Sequence, residues 1–166
     1  FARAQEPAQQ LLRGIYQELV EIDTSDATGN TTRAAEAMAA RLRAGGIPAA
    51  DIHVIVPPGG AKKGNLVARL RGSGAKKPLL LLAHIDTVNA KREDWQRDPF
   101  KLIEENGYFY ARGSSDDKAM AAALVAIMIE LKQQNARLDR DLILALTTDE
   151  EIIPSKFSGK IGRAHV

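Results

Sequence analysis

The sequence predicts an α/β fold, a three-layer αβα sandwich around a mostly parallel mixed sheet. Two apolar runs without alternation, LLLL at 79–82 and LILAL at 142–146, suit strands buried on both faces. Segments with helical apolar spacing alternate with strand-like segments, the order expected when helices cover a sheet. With 166 residues, 45% hydrophobic and 27% charged, the chain has room for one real core. That composition is ordinary for a globular protein and excludes disordered, collagen-like and coiled-coil classes.

Residues 9–22 place Leu11, Leu12, Ile15, Leu19 and Ile22 at helical spacing and predict an amphipathic helix. A polar loop follows at 23–30. Residues 32–44 predict a second helix with Ala35, Met38, Ala39 and Leu42 on one face, stopped by Gly45-Gly46. The β-branched run 51–56 ends at Pro57-Pro58-Gly59-Gly60, and the alternating run 65–71 ends at Gly72-Ser73-Gly74, so both predict strands. The leucine run at 78–83 predicts a central strand, 108–111 a short strand, 116–134 a long helix and 141–146 another buried strand. His53 falls inside the run 52–56, away from any strand end, and reads as a structural strand residue.

Charge and composition narrow the function. The first 83 residues carry 11 basic and 7 acidic side chains and the remainder 12 and 14. The acidic excess lies with the motifs below, the wrong sign for a phosphate backbone, so no nucleic-acid partner is expected. The absence of Cys removes disulfides, thiolate metal ligands and a Cys nucleophile together. The longest apolar run, 119–129, has 11 residues, against the ~20 needed to cross a bilayer, so it reads as a buried helix and no membrane partner is expected. Neither Gly-x-Ser-x-Gly nor a P-loop occurs.

The two ends read differently from the rest. Ala2-Arg3-Ala4 before Gln5-Glu6-Pro7 has the small-x-small pattern of a signal-peptidase site. Residues 1–8 are therefore expected to be the remnant of an export signal, and the protein to be periplasmic or secreted; the alternative is an unstructured Ala-rich N-terminus on a cytoplasmic protein. Residues 161–166, Ile-Gly-Arg-Ala-His-Val, correspond to a translated sequencing adapter and are expected to be a non-native tail, which leaves His165 without functional weight. Residues 9–160 remain as the part that carries the motifs below.

In open α/β sheets ligands bind at the carboxyl ends of the strands. Three polar sets stand there: His84-Ile85-Asp86 after LLLLA, Arg112-Gly113-Ser114-Ser115-Asp116-Asp117-Lys118 after YFYA, and Asp149-Glu150-Glu151 after LILALTT. Alone, each has an ordinary reading as a surface histidine, a helix cap or a solvated acidic turn. Together, one imidazole and several carboxylates at strand ends of one sheet make a zinc site of N and O ligands. In a strand-like His-x-Asp the two side chains point the same way, so Asp86 can accept the His84 ring N–H that faces away from a metal. In Glu-Glu the neighbours project differently, so one carboxylate can bind metal while the other reaches a water.

These residues resemble the di-zinc aminoacylase/carboxypeptidase metallopeptidase family, which includes acetylornithine deacetylase, succinyl-diaminopimelate desuccinylase, glutamate carboxypeptidase, carboxypeptidase S and carnosinase. LLLAHIDTV resembles its His-x-Asp motif, ARGSSDDKAM its Gly-Arg-Gly-x-x-Asp-x-Lys-Gly motif with Ala111 and Ala119 in place of Gly, and TTDEE its Glu-Glu motif. The similarity runs through residues 9–157. The resemblance implies that His84 binds one zinc, Asp116 bridges two and Glu151 binds the other, with Glu150 as general base and Asp86 orienting His84. It implies hydrolysis of amide or peptide bonds in small peptides or N-acyl amino acids by a zinc-activated water, and a full-length homodimer carrying an inserted lid and dimerisation domain.

The family also supplies a later acidic ligand and a late histidine, and neither follows Glu151 here. The chain is therefore expected to be an N-terminal fragment with an incomplete zinc site, inactive by itself and aggregation-prone. The alternative is a non-catalytic α/β binding or scaffold domain whose acidic clusters are caps and turns.

Overall fold

The computed structural model describes residues 2–152, so the expected tail at 161–166 lies outside the described residues. In chain order the elements are α1 (Ala2–Glu21), α2 (Thr31–Ala44), β1 (Ile52–Ile55), β2 (Asn65–Leu70), β3 (Leu79–His84), β4 (Ile103–Glu105), β5 (Tyr108–Tyr110), α3 (Lys118–Gln133) and β6 (Leu142–Thr147). α1 begins well before Gln9 and runs through Pro7, so the segment read as an export remnant is helical from Ala2 onwards. α2 starts where Asn30, in an extended conformation, accepts the Arg33 N–H at 3.1 Å.

Four strands form one sheet in the order β1-β2-β6-β3. β1 and β2 are antiparallel, β2 and β6 are antiparallel, and β6 and β3 run parallel. The α/β class and the mixed sheet are as expected, but the parallel part is the single pair β3–β6, because the β1–β2 meander pairs back antiparallel before the crossover begins. The hairpin β4–β5 stands apart as a two-stranded sheet. Its turn is Asn106-Gly107, both at positive φ (54° and 79°), a turn chemistry the sequence offers openly but that strand periodicity alone overlooks at β4.

The core lies on one face of the sheet. Leu66 and Ala68 of β2, Leu144 and Leu146 of β6, and Ala83 of β3 are buried and face the same way through their register. α2 packs on β1 and β2, α3 on β3 and β6, and α1 lies across α3 and α2. Because α2 and α3 touch each other, they share that face. Burying leucines such as Leu144 and Leu146 contributes about 1.5–3 kcal/mol each.

The other face differs from the expected third layer. Leu80 and Leu82 are 57% and 59% exposed, and among the described residues no helix covers them. The run LLLL is thus the edge strand of the described sheet rather than its centre. Its apolar character had implied cover on both faces, and alternation of burial along β3 shows that one face has it.

Candidate metal centre

The carboxyl ends of β3 and β6 lie side by side, with His84 paired to Thr147 and the Ile85 N–H donating to the Thr147 carbonyl at 2.8 Å. This parallel pair is what brings the His-x-Asp and Glu-Glu segments together. Just past β3, Asp86 and Thr87 are buried, and Thr87 forms an isolated bridge with Ser25 in the α1–α2 loop. Gly113 sits at φ +73°, and a Cβ there would lie 2.5 Å from the Thr87 methyl. Glycine therefore lets the loop that carries Asp116 close onto the His-x-Asp segment.

Asp116 and Asp117 precede α3, joined by a cis peptide. The helix N-cap is Asp117, not Asp116, so the Asp116 carboxylate is free of a capping duty. Its Oδ1 lies 3.0 Å from His84 Nε2. Asp117 caps without a side-chain bond and instead accepts the His84 backbone N–H at 3.3 Å. Lys118 is wholly buried and donates from Nζ to the Ile22 carbonyl at 2.8 Å, which fastens the start of α3 to the end of α1. Burial lowers its pKa to about 7.

The ligand atoms of His84, Glu150 and Glu151 all lie within 4.8 Å of one another. Glu150 Oε2 is 3.8 Å from His84 Nε2. Nδ1 of the same ring faces Asp86, whose backbone carbonyl is nearer at 3.2 Å than its Oδ1 at 3.5 Å. The orienting partner expected of Asp86 is thus shared between its main chain and its carboxylate. Asp86 does a second thing the sequence did not announce: Oδ2 accepts the Glu151 N–H at 3.0 Å, tying the two motifs together across 65 positions.

Electrostatics set this cluster apart. The Asp86 carboxylate, with Asp116 and Glu150 adding to it and burial opposing, raises the His84 imidazole from 6.5 to about 9. Burial works against ionised Asp86, but His84 and the Glu151 and Glu150 N–H groups hold its carboxyl below the usual carboxylate range. Glu151 is pushed up by burial and then by the neighbouring Asp116 charge. An imidazole nitrogen surrounded by carboxylate oxygens, one of them already disfavoured as an anion, fits zinc. A cleft of about 270 Å³ lined by Asp26, Thr87, Val88, Asn89, Glu151 and Ile152 opens beside it.

Comparison with known proteins bears on the family and the fold. Peptidase family M20/M25/M40 matches residues 80–164, half of the chain. The chain belongs to this peptidase family. It is 43% identical over 91 residues to a probable succinyl-diaminopimelate desuccinylase of Staphylococcus epidermidis, covering 54% of this chain and 22% of that protein. It is 38% identical over 85 residues to the mouse N-fatty-acyl-amino acid synthase/hydrolase PM20D1, covering 51% and 17%. The chain thus spans about a fifth of the length of these relatives.

Among solved structures, an M20 family metallo-carboxypeptidase from Sulfolobus solfataricus superposes with a TM-score of 0.71 at 22% identity, covering 84% of this chain and 31% of that one. The Saccharomyces cerevisiae di-peptidase Dug1p gives 0.71 at 19%, covering 88% and 33%. These two show the shared M20 catalytic-domain fold, and the family is one of hydrolases acting on amide bonds. Within the described residues no helix is long and apolar enough to cross a membrane.

Proposed function

We propose that the chain is the front part of a zinc-dependent amidohydrolase that cleaves amide or peptide bonds in small peptides or N-acyl amino acids. The observation that carries this reading is the convergence of His84, Asp116, Glu150 and Glu151 at two adjacent strand ends, where the only side-chain ion pairs of Asp116 and Glu150 among the described residues are with His84. His84, Asp116 and Glu151 would hold the zinc ions, with His84 serving one, Glu151 the other and Asp116 shared between them. Zinc there would supply Lewis acidity toward the substrate carbonyl and make a water acidic enough to lose a proton near neutral pH.

Glu150 takes the proton of the attacking water as the new C–O bond forms at the expense of the carbonyl π bond, and returns it to the leaving amine nitrogen as that π bond re-forms and the C–N bond breaks. Its 61% exposed side chain supports that role, since it stands on the solvent side of the cluster, whereas Glu151 is half-buried and anchored by its own N–H. Asp86 keeps the His84 ring turned so that Nε2 faces the carboxylates.

The test has two arms. The 166-residue chain should take up zinc without hydrolysing N-acyl amino acids or dipeptides; turnover by the chain alone would overturn the claim that its site is incomplete. A full-length version should hydrolyse them, and Glu150→Ala should lower kcat about 10²–10⁴-fold. A full-length version that zinc neither binds nor stabilises would mark a non-catalytic α/β binding domain instead.

A further inference from the structure

We infer that Lys63 is a positioning residue for the Glu150-Glu151 end of the site, acting through Asp149. Its ammonium lies 2.9 Å from Asp149 Oδ1 and 2.7 Å from Asp26 Oδ1, and its side chain is 16% exposed while that of Asp149 is 3% exposed. Asp149 is at φ +63°, so the backbone turns sharply at the residue just before the two glutamates. A buried carboxylate at the pivot of that turn stays where a cation meets it, because a lone buried charge is strongly disfavoured. Both partners of Lys63 raise its own pKa against the effect of burial, as expected of an ammonium that is held as an ion.

The platform under Lys63 is rigid for reasons visible in the same loop. The Lys62 carbonyl accepts the Thr31 N–H and the Thr31 hydroxyl, both at 2.9 Å, and the Gly64 N–H donates to Thr32 Oγ1 at 2.8 Å. These bonds fix the loop to the first turn of α2. Directly after this loop, at the start of β2, Asn65 Oδ1 accepts the buried Thr148 N–H at 3.0 Å. The segment 148–151 is therefore held at three successive points: Thr148 by Asn65, Asp149 by Lys63 and the Glu151 N–H by Asp86. Lys63 is the only charged member from outside the motifs, and it acts on the direction of the glutamates without touching the cluster.

Amide hydrogen exchange on the 166-residue chain tests the brace without metal. Lys63→Met should speed exchange of the Thr148 and Glu151 amides at least about tenfold while the β6 amides of Leu144 and Leu146 keep their protection. Lys63→Arg should restore it, and Lys63→Met/Asp149→Asn, which removes the unpaired charge, should recover most of it. Unchanged exchange at Thr148 and Glu151 in Lys63→Met overturns the inference. Should Lys63→Met fail to fold, Asp149→Asn alone carries the same expectation and the same refutation.

The consequence for zinc rests on the proposed function. Lys63→Met should weaken zinc uptake about 10–100-fold, the usual cost of losing an outer support of a metal ligand. Absence of zinc uptake by the unaltered chain would sink the zinc reading and leave the exchange result to decide the brace; zinc uptake equal to that of the unaltered chain would sink the positioning role.

Discussion

The two ends of the four-stranded sheet treat their carboxylates in opposite ways. Where β6 begins, Asp141 is held by Arg69 and by the Gly72 N–H at 2.7 Å, and Asp51 by Arg71 at 2.6 Å. Arg71 keeps the Asp51 carboxyl below the usual range, and the Gly72 N–H followed by Arg69 does the same for Asp141. Where β6 ends, Asp116, Glu150 and Glu151 share one imidazole, and Glu151 is pushed the other way. Matched carboxylates tie strands and loops together. Carboxylates gathered without an arginine or lysine raise the energy of the metal-free fold and lower it again when a cation arrives, which is the physical mark of a binding site.

The largest effect expected from this contrast is at Glu151. Glu151→Gln should weaken zinc uptake at least about 100-fold, beyond the 10–100-fold typical of residues outside the ligand shell. The same change should slightly raise the metal-free unfolding midpoint, since it removes a carboxylate that burial and Asp116 disfavour. Isothermal titration and thermal unfolding of one preparation check both. Asp141→Asn at the opposite end should give the mirror result: a lower unfolding midpoint, because Arg69 and the Gly72 N–H lose their anion, with zinc uptake unchanged. A metal-binding loss in Asp141→Asn would break the comparison.

A pH effect should follow. His84 sits at about 9 in the metal-free fold against 6.5 ordinarily, so its stabilising contribution is complete below about 6.5 and is lost as pH rises through about 9. At neutral pH zinc must displace that proton. Apparent affinity should then rise by up to about tenfold per pH unit between 6.5 and 9, with roughly one proton released, measurable by calorimetry in buffers of different ionisation enthalpy. The smallest effect on either end should come from the open face between them: Leu82→Lys should reduce self-association in sedimentation, leaving zinc uptake and unfolding unchanged, because Leu82 is 59% exposed on an edge strand.

Much of this was legible in the sequence, and the parts that were not share a cause. The apolar positions of α2 and the leucines of β6 announce their elements because periodicity is local. Likewise the three polar sets announce themselves because strand ends are where an α/β sheet presents ligands. What stayed hidden depends on partners far along the chain. Leu80 and Leu82 read as buried because composition alone does not say how many layers cover a strand. Asn65, Lys63 and the bond from the Glu151 N–H to Asp86 reach across 65 to 86 positions, and no short-range pattern marks them.

The most direct measurement is zinc titration of the 166-residue chain at neutral pH, beside the same titration of Asp116→Asn, a neutral change at a 76% exposed side chain. Saturable uptake with proton release by the unaltered chain, and its loss in Asp116→Asn with thermal unfolding preserved, is the expected result. Equal uptake by both, or none by the unaltered chain, would contradict a metal centre at the ends of β3 and β6.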